Sequence, residues 1–173
     1  MNRRESIRTL MAASAGLIAL PSWAESWSVE TLPAGLSVFD VTEQDVLTAV
    51  ADTIIPPGDS IGALSVGVDK FLVALFDRCY EKDVQDNLKK QLSALDAVAQ
   101  RTHGKSFAAC DPNQRTEMLL SFADSDENEK KEFFDLVKSE TIRGFRTSKE
   151  VMVGYHNYKV APGHYYGCVD VNS

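Results

Sequence analysis

The chain has 173 residues, enough for one domain or one domain with a tail, and its composition is that of an ordinary globular protein, 44% hydrophobic and 25% charged. The formal net charge of −7 argues against a nucleic-acid partner, because phosphate binding needs clustered Lys and Arg. The length leaves little room for a dinucleotide fold plus a substrate region, and no apolar run reaches the roughly 20 residues of a membrane-spanning helix.

The N-terminal segment has the features of an export signal. Arg3 and Arg4 lie in a charged segment, an apolar run follows over residues 9–20, and Ser22-Trp23-Ala24 supplies small residues for cleavage. The paired arginines favour the twin-arginine route, which moves folded proteins. We therefore expect residues 1–24 to be a twin-arginine signal peptide and the mature protein to be periplasmic. The alternative is an amphipathic N-terminal helix that is retained.

The elements predicted after the signal are helices. Residues 25–41 are predicted to form an extended lead-in, and a capping-box pattern predicts that the first helix begins at Thr42. Pro56-Pro57-Gly58 ends this helix. Apolar residues at helical spacing predict further helices over residues 68–80 and 82–102.

Two more helices are predicted further along the chain. Asp111 is a predicted N-cap followed by Pro112 at the first helical position, and this helix ends near Ala123. The last helix starts in the acidic segment 124–129. We interpret this segment as a helix N-terminus whose carboxylates suit the helix dipole, and not as a calcium loop. The sequence therefore predicts an all-α fold: a small bundle of about five helices over residues 42–148, with irregular N- and C-terminal arms.

Common catalytic and cofactor motifs are missing from the sequence. There is no G-x-G-x-x-G, no complete P-loop, no G-x-S-x-G and no C-x-x-C-H. His103, His156 and His164 show no metal-ligand spacing, and His103 is expected at a helix C-terminus. We expect no catalytic, cofactor or metal site in this chain.

The three cysteines, Cys79, Cys110 and Cys168, are an odd number for an exported protein. Any intrachain pair leaves one thiol over, which is either buried and inert or bonded to a partner chain. Cys79 is expected in the core because it lies on an apolar helix, and Cys168 is the better candidate for an intermolecular bond because it lies in an irregular arm.

The C-terminal arm, residues 149–173, is aromatic and contains glycine. It holds four of the five tyrosines, Tyr155, Tyr158, Tyr165 and Tyr166. Tyrosine combines a large contact area with a polar tip and is enriched at interfaces. The arm therefore either wraps its own helical domain or lies across a partner protein.

Several stretches of the sequence, taken together with the N-terminal signal segment, resemble the motifs of a known family. They are Ala51-Asp52-Thr53-Ile54-Ile55-Pro56, the run 133–138, Gly144-Phe145-Arg146-Thr147-Ser148, and residues 158–168 with Pro162-Gly163-His164-Tyr165-Tyr166-Gly167-Cys168. This set resembles the gluconate 2-dehydrogenase subunit 3 family over the leader and most of residues 42–170. Gluconate-oxidising members tend to end in a YGGN…GW tail, whereas the Tyr-Gly-Cys ending is similar to small subunits of glycoside or sugar 3-dehydrogenases.

The resemblance implies a non-catalytic small subunit. Its partner would be a larger FAD-dependent oxidoreductase of the glucose-methanol-choline type, with a c-type cytochrome as a possible third, haem-bearing subunit. Large subunits of this kind commonly lack an export signal and leave the cytoplasm attached to the small one. The residues expected to contact the large subunit are Tyr155, Tyr158, Tyr165, Tyr166 and Cys168, and the membrane is reached only through partners.

Two other functions remain open on the residues alone. The chain could be a stand-alone periplasmic binding module for a small ligand or metal, which needs a pocket with converging polar groups. It could also be an independent enzyme such as a small hydrolase, built from residues that are distant in sequence.

Overall fold

The structure of the protein, a computed structural model, describes residues 37–159 and Gly163. Helices account for 74% of the described residues and there is no strand among them, which confirms the predicted all-α bundle. Predicted features outside the described residues are the signal residues Arg3, Arg4 and Ala24, most of the lead-in, and His164, Tyr165, Tyr166 and Cys168.

Five long helices and one short helix follow each other along the described chain. They are α1 (Val41–Ile54), α2 (Val68–Cys79), α3 (Lys82–His103), α4 (Pro112–Ala123), α5 (Asn128–Thr147) and α6 (Lys149–Gly154), with 3-10 turns at Leu64–Val66 and Phe107–Ala109. Between residues 37 and 159, no helix has the length and apolarity needed to cross a membrane.

The start of α1 differs from the prediction, and the start of α4 agrees with it. The N-cap of α1 is Asp40 and not Thr42: its Oδ1 accepts a hydrogen bond from the Glu43 N–H at 2.7 Å, and the Asp40 N–H donates to Glu43 Oε2 at 3.0 Å. This reciprocal pair satisfies two backbone donors and has Glu at the third position, where Thr42 would have Asp45. In α4, Asp111 is the N-cap and its N–H donates to Gln114 Oε1 at 3.2 Å, as predicted.

The core lies between α1 and α5, each of which contacts the other four long helices. The spacing of its side chains, three or four residues apart, places one apolar stripe of each helix inward. Complete burial of each large side chain stabilises the fold by about 1.5–3 kcal/mol. Fully buried members include Leu47, Leu72, Phe76, Leu88, Leu92, Leu95, Phe133 and Val137.

Two aspartates fix the connections to the bundle. Asp96 on α3 is buried, and its Oδ1 accepts a hydrogen bond from the Phe107 N–H at 2.8 Å, which holds the 3-10 turn against α3. Asp77 on α2 accepts from the Ser37 hydroxyl at 3.1 Å and from the Val38 N–H at 3.0 Å. These contacts fix where the chain enters the bundle and how α3 leads into α4.

Candidate functional site

The C-terminal arm begins as a helix, in contrast to the irregular arm that was predicted. Ser148 ends α5 and caps α6: its hydroxyl donates to the Phe145 carbonyl at 2.8 Å and accepts from the Val151 N–H at 3.4 Å. Val151 is buried and anchors α6 against α5. A helix of six residues with one buried anchor is too short to show a helical period in the sequence.

A groove of about 520 Å³ lies between the second half of α5 and the segment 152–156. Ile142 and Met152 supply apolar surface, and the cationic side chains Arg143 and Arg146 line the same groove together with His156. The chain turns back behind this segment, because Asn157 adopts a φ of 50° and the Tyr158 N–H donates to the Met152 carbonyl at 2.9 Å. The turn keeps the residues after α6 beside the groove.

Large apolar and aromatic side chains are exposed in the same part of the chain. Tyr155 is 59% exposed, Tyr158 is 51% exposed, Val153 is 53% exposed and Ile142 is 36% exposed. The two predicted interface tyrosines that the structure describes therefore do not pack into their own helical domain. Their contact with a partner stays a prediction.

Charge is distributed unevenly along the described chain. Residues 138–159 carry five basic and two acidic side chains, a net charge of +3, whereas residues 37–137 carry 10 basic and 19 acidic side chains, a net charge of −9. The last part of α5, α6 and the turn after it therefore form a locally basic region on an acidic protein. Such a region attracts anionic groups.

Arg143 forms an ion pair with Glu140, and Glu140 in turn accepts a hydrogen bond from Tyr80. One Nη of Arg143 lies 2.7 Å from Glu140 Oε2, and the Tyr80 hydroxyl donates to Glu140 Oε1 at 3.0 Å. Glu140 is buried, and the guanidinium of Arg143 lies over the Phe71 ring at 5.9 Å from its centroid. Burial, followed by the hydrogen bond to Glu140, raises the pKa of Tyr80 above its ordinary value of 10.0.

Gly144 allows α5 to approach α2 closely at this point. A Cβ atom at residue 144 would lie 2.6 Å from Cδ1 of Phe71, inside van der Waals contact. The segment Gly144-Phe145-Arg146-Thr147-Ser148 therefore has a structural explanation: it combines a close helix contact, the end of α5 and the cap of α6.

The segment 51–56 is also structural. Asp52 pairs with Arg115 of α4, and the Thr53 hydroxyl donates to the Ala49 carbonyl at 2.6 Å. The loop after Pro56 returns to the helix, where the Ala63 N–H donates to the Ile55 carbonyl at 2.9 Å. None of these residues lies at the groove.

The remaining reactive side chains do not form a cluster in the part of the chain that the structure describes. Among residues 37–159, no group of three His, Cys, Asp or Glu side chains could hold a metal ion. His103 lies at the C-terminus of α3, as predicted, and His156 is exposed. In the acidic segment, Glu129 pairs with Lys90 and Glu127 with Lys130.

The prediction for Cys79 was wrong. Its side chain is exposed at the last residue of α2, although it follows the buried Phe76 by three residues on the same side of the helix, whereas Cys110 is buried and its thiol donates to the Ser106 carbonyl at 3.4 Å. Both are free thiols. Helical spacing places Cys79 on the buried side of α2, but the residue lies at the end of the helix, where this side is not covered.

Sequence reasoning missed the groove residues Ile142, Arg143, Arg146 and Met152. It predicted the helix but assigned no role to the side chains on its outer side. The signal was available, since residues 139, 142, 143 and 146 recur at helical spacing and line one face. What it could not supply was α6, whose Met152 closes the groove.

Comparison with protein-family models gives a match to Gluconate 2-dehydrogenase subunit 3 over residues 42–163. This range contains α2 to α6, all of α1 except its first residue, and both structural segments discussed above. Comparisons with curated proteins and with solved structures give no match. The matched range covers well over half of the chain, and the chain belongs to the gluconate 2-dehydrogenase subunit 3 family.

Proposed function

We propose that this chain is the non-catalytic small subunit of a periplasmic dehydrogenase. Its partner is a large FAD-dependent subunit of the glucose-methanol-choline type that oxidises a sugar or glycoside. The observation that carries the proposal is the family match over residues 42–163, because that family is a subunit of a dehydrogenase complex. A c-type cytochrome that accepts the electrons is the proposed third component.

The described surface supports a subunit role. Tyr155, Tyr158 and Val153 expose large side chains next to the groove, where a second protein would bury them. The catalytic chemistry is assigned to the large subunit, because the sequence carries no dinucleotide fingerprint that would hold FAD in this chain.

The proposed second role is escort during export. The segment with Arg3 and Arg4 would direct the chain to the twin-arginine route, and a large subunit without its own signal would cross while bound. The complex is then periplasmic and reaches the membrane through its partners. Escort of this kind requires that the two subunits fold and associate in the cytoplasm.

The proposal is tested by purifying the complex from periplasm through a tag placed after Ser173. We expect the tagged chain to retain a yellow flavoprotein that reduces an artificial dye when a sugar or glycoside is added. A colourless chain that elutes alone would contradict the subunit assignment. A second tagged version that ends at Lys159 keeps α6 and the buried Val151, and it measures how much of the interface lies beyond the described residues.

A further inference from the structure

The groove between α5 and α6 differs in charge from a second cleft of the described bundle. It is lined by Arg143 and Arg146 and by no acidic side chain. A cleft of about 530 Å³ between α3 and α5 is lined by Asp83, Glu132 and Asp135 and by no basic side chain. A segment that carries carboxylates would therefore be attracted to the first cleft and repelled from the second.

The two arginines of the groove differ in whether a carboxylate of this chain already binds them. Arg143 is held in place by Glu140 and by the Phe71 ring, and about half of its side chain is exposed. Arg146 has no carboxylate partner among residues 37–159 and lies in the last turn of α5. An arginine that is already oriented and one that is available for pairing can together receive a carboxylate pair, since a guanidinium offers five N–H donors.

The apolar part of the groove adds a second element of recognition. Ile142 and Met152 line it from α5 and α6, and Met is a flexible side chain that adapts to a partner's shape. Exposed Tyr155 and Val153 extend the apolar surface along the chain from Met152. Apolar anchors surrounded by charged groups are the usual anatomy of a protein-binding site.

We propose that this groove binds an acidic segment of the flavoprotein large subunit. An apolar side chain of that segment lies between Ile142 and Met152, and neighbouring carboxylates face Arg146 and Arg143. The inference rests on the proposed function and adds to it the docking site on this chain and the chemistry of the segment that occupies it. The site is built from residues 139–156.

The first test reverses one charge and compares it with a matched control. Arg146→Glu is expected to lower the amount of flavoprotein retained by the tagged chain about tenfold or more, because it places a carboxylate against carboxylates. Arg101→Glu makes the same charge change in the last turn of α3, away from the groove, and is expected to retain the wild-type amount. Retention by the wild-type chain is expected to fall as salt is raised.

The second test identifies the occupant. The photoreactive amino acid p-benzoylphenylalanine, introduced at Met152, is expected to cross-link to a segment of the flavoprotein that contains several Asp or Glu and an apolar residue. The same amino acid at Ala97, which is exposed on α3, serves as the control and is expected to give no cross-link.

The outcomes separate the inference from the proposed function. If the wild-type chain retains flavoprotein and Arg146→Glu retains it equally well, or if Met152 cross-links to a segment without acidic residues, the docking site is wrong and the subunit role stands. If the wild-type chain retains no flavoprotein, both are wrong. Calorimetric titration of the purified full chain with gluconate or phosphate is expected to show no binding. Saturable binding that Arg146→Glu abolishes would make the groove a small-anion site and overturn the inference.

Discussion

Asp52 on α1 and Arg115 on α4, which are 63 residues apart in sequence, form an ion pair that joins the two helices. Nη1 of Arg115 lies 3.2 Å from Oδ2 of Asp52 and 3.3 Å from the carbonyl of Ala49, so it binds the last turn of α1 through side chain and backbone together. A carboxylate near a helix C-terminus is unfavourable to the helix dipole. Arg115 offsets this effect, which explains an aspartate at this position of the 51–56 segment.

The pair is largely shielded from solvent, with side-chain exposures of 22% for Asp52 and 12% for Arg115. We expect Asp52→Ala to lower the free energy of unfolding by about 2–4 kcal/mol, because it leaves a shielded guanidinium without its carboxylate. Urea unfolding followed by circular dichroism measures the change. Asp59→Ala, in the exposed loop after α1, is the control, and an equal effect of the two substitutions would contradict the structural role of the pair.

Gly144 is expected to be intolerant of even a methyl group. Gly144→Ala should destabilise the protein by about 1–3 kcal/mol, because the added Cβ overlaps the Phe71 ring and this outweighs the gain of about 1 kcal/mol in helix propensity. Gly154→Ala is the matched control, since a Cβ there meets nothing within 4 Å and the change should be neutral or slightly stabilising. If thermal unfolding showed both variants to be equally stable, the close approach of α5 to α2 would be wrong.

Tyr80 is expected to make the free energy of unfolding depend on pH in the alkaline range. Its raised pKa means that the folded state holds the phenolic proton more tightly than the unfolded state does. The hydrogen bond to Glu140 therefore contributes fully below the ordinary pKa of 10.0, and the contribution is lost as the pH rises through the higher pKa of the folded state.

The measurement compares wild type with Tyr80→Phe over a pH series. At neutral pH the variant should be less stable by about 0.5–1.5 kcal/mol, the usual net value of one hydrogen bond, and the difference should shrink above pH 10. Tyr155→Phe removes an exposed hydroxyl and serves as the control. A difference that stayed constant through the alkaline range would argue against the link between Tyr80 and Glu140.

The escort proposal predicts that export of the large subunit depends on the signal peptide of this chain. Replacing the pair by Arg3→Lys and Arg4→Lys should leave both this chain and the flavoprotein in the cytoplasm, because the twin-arginine route recognises the pair. Arg8→Lys, which keeps the pair intact, should leave export unchanged. Fractionation followed by immunoblotting and flavin fluorescence measures both proteins, and normal arrival of the flavoprotein in the periplasm would rule out escort by this leader.

Helices with a clear apolar stripe and strong end signals were predictable from the sequence. α3 was predicted over residues 82–102 and α4 from Asp111, because leucine spacing in the first and the Asp-Pro pair in the second depend on local physics alone. The N-cap of α1 was misplaced because Thr42 was paired with Asp45 in the place of a Glu. Asp40, with Glu43 three residues later, fits the capping-box pattern more closely.

The candidate site was harder to predict from the sequence than the helices were, because it depends on contacts between elements. The sequence drew attention to Tyr155 and Tyr158, because four of the five tyrosines lie in the C-terminal arm. It did not draw attention to Arg146 and Met152, which line a common groove only because α6 packs against α5. The exposure of Cys79 has the same origin, since helical spacing does not show that the covering helices leave the end of α2 open to solvent. Tertiary packing decides such features, and no local pattern records them.

The central claim, that the chain is a required subunit of a flavin dehydrogenase, is tested most directly by deleting its gene from the cells that produce it. Sugar-dependent reduction of an artificial dye is then measured in the periplasmic fraction. We predict that the activity disappears from the periplasm and returns when the wild-type gene is supplied. Periplasmic activity that is the same with and without this chain would contradict the account.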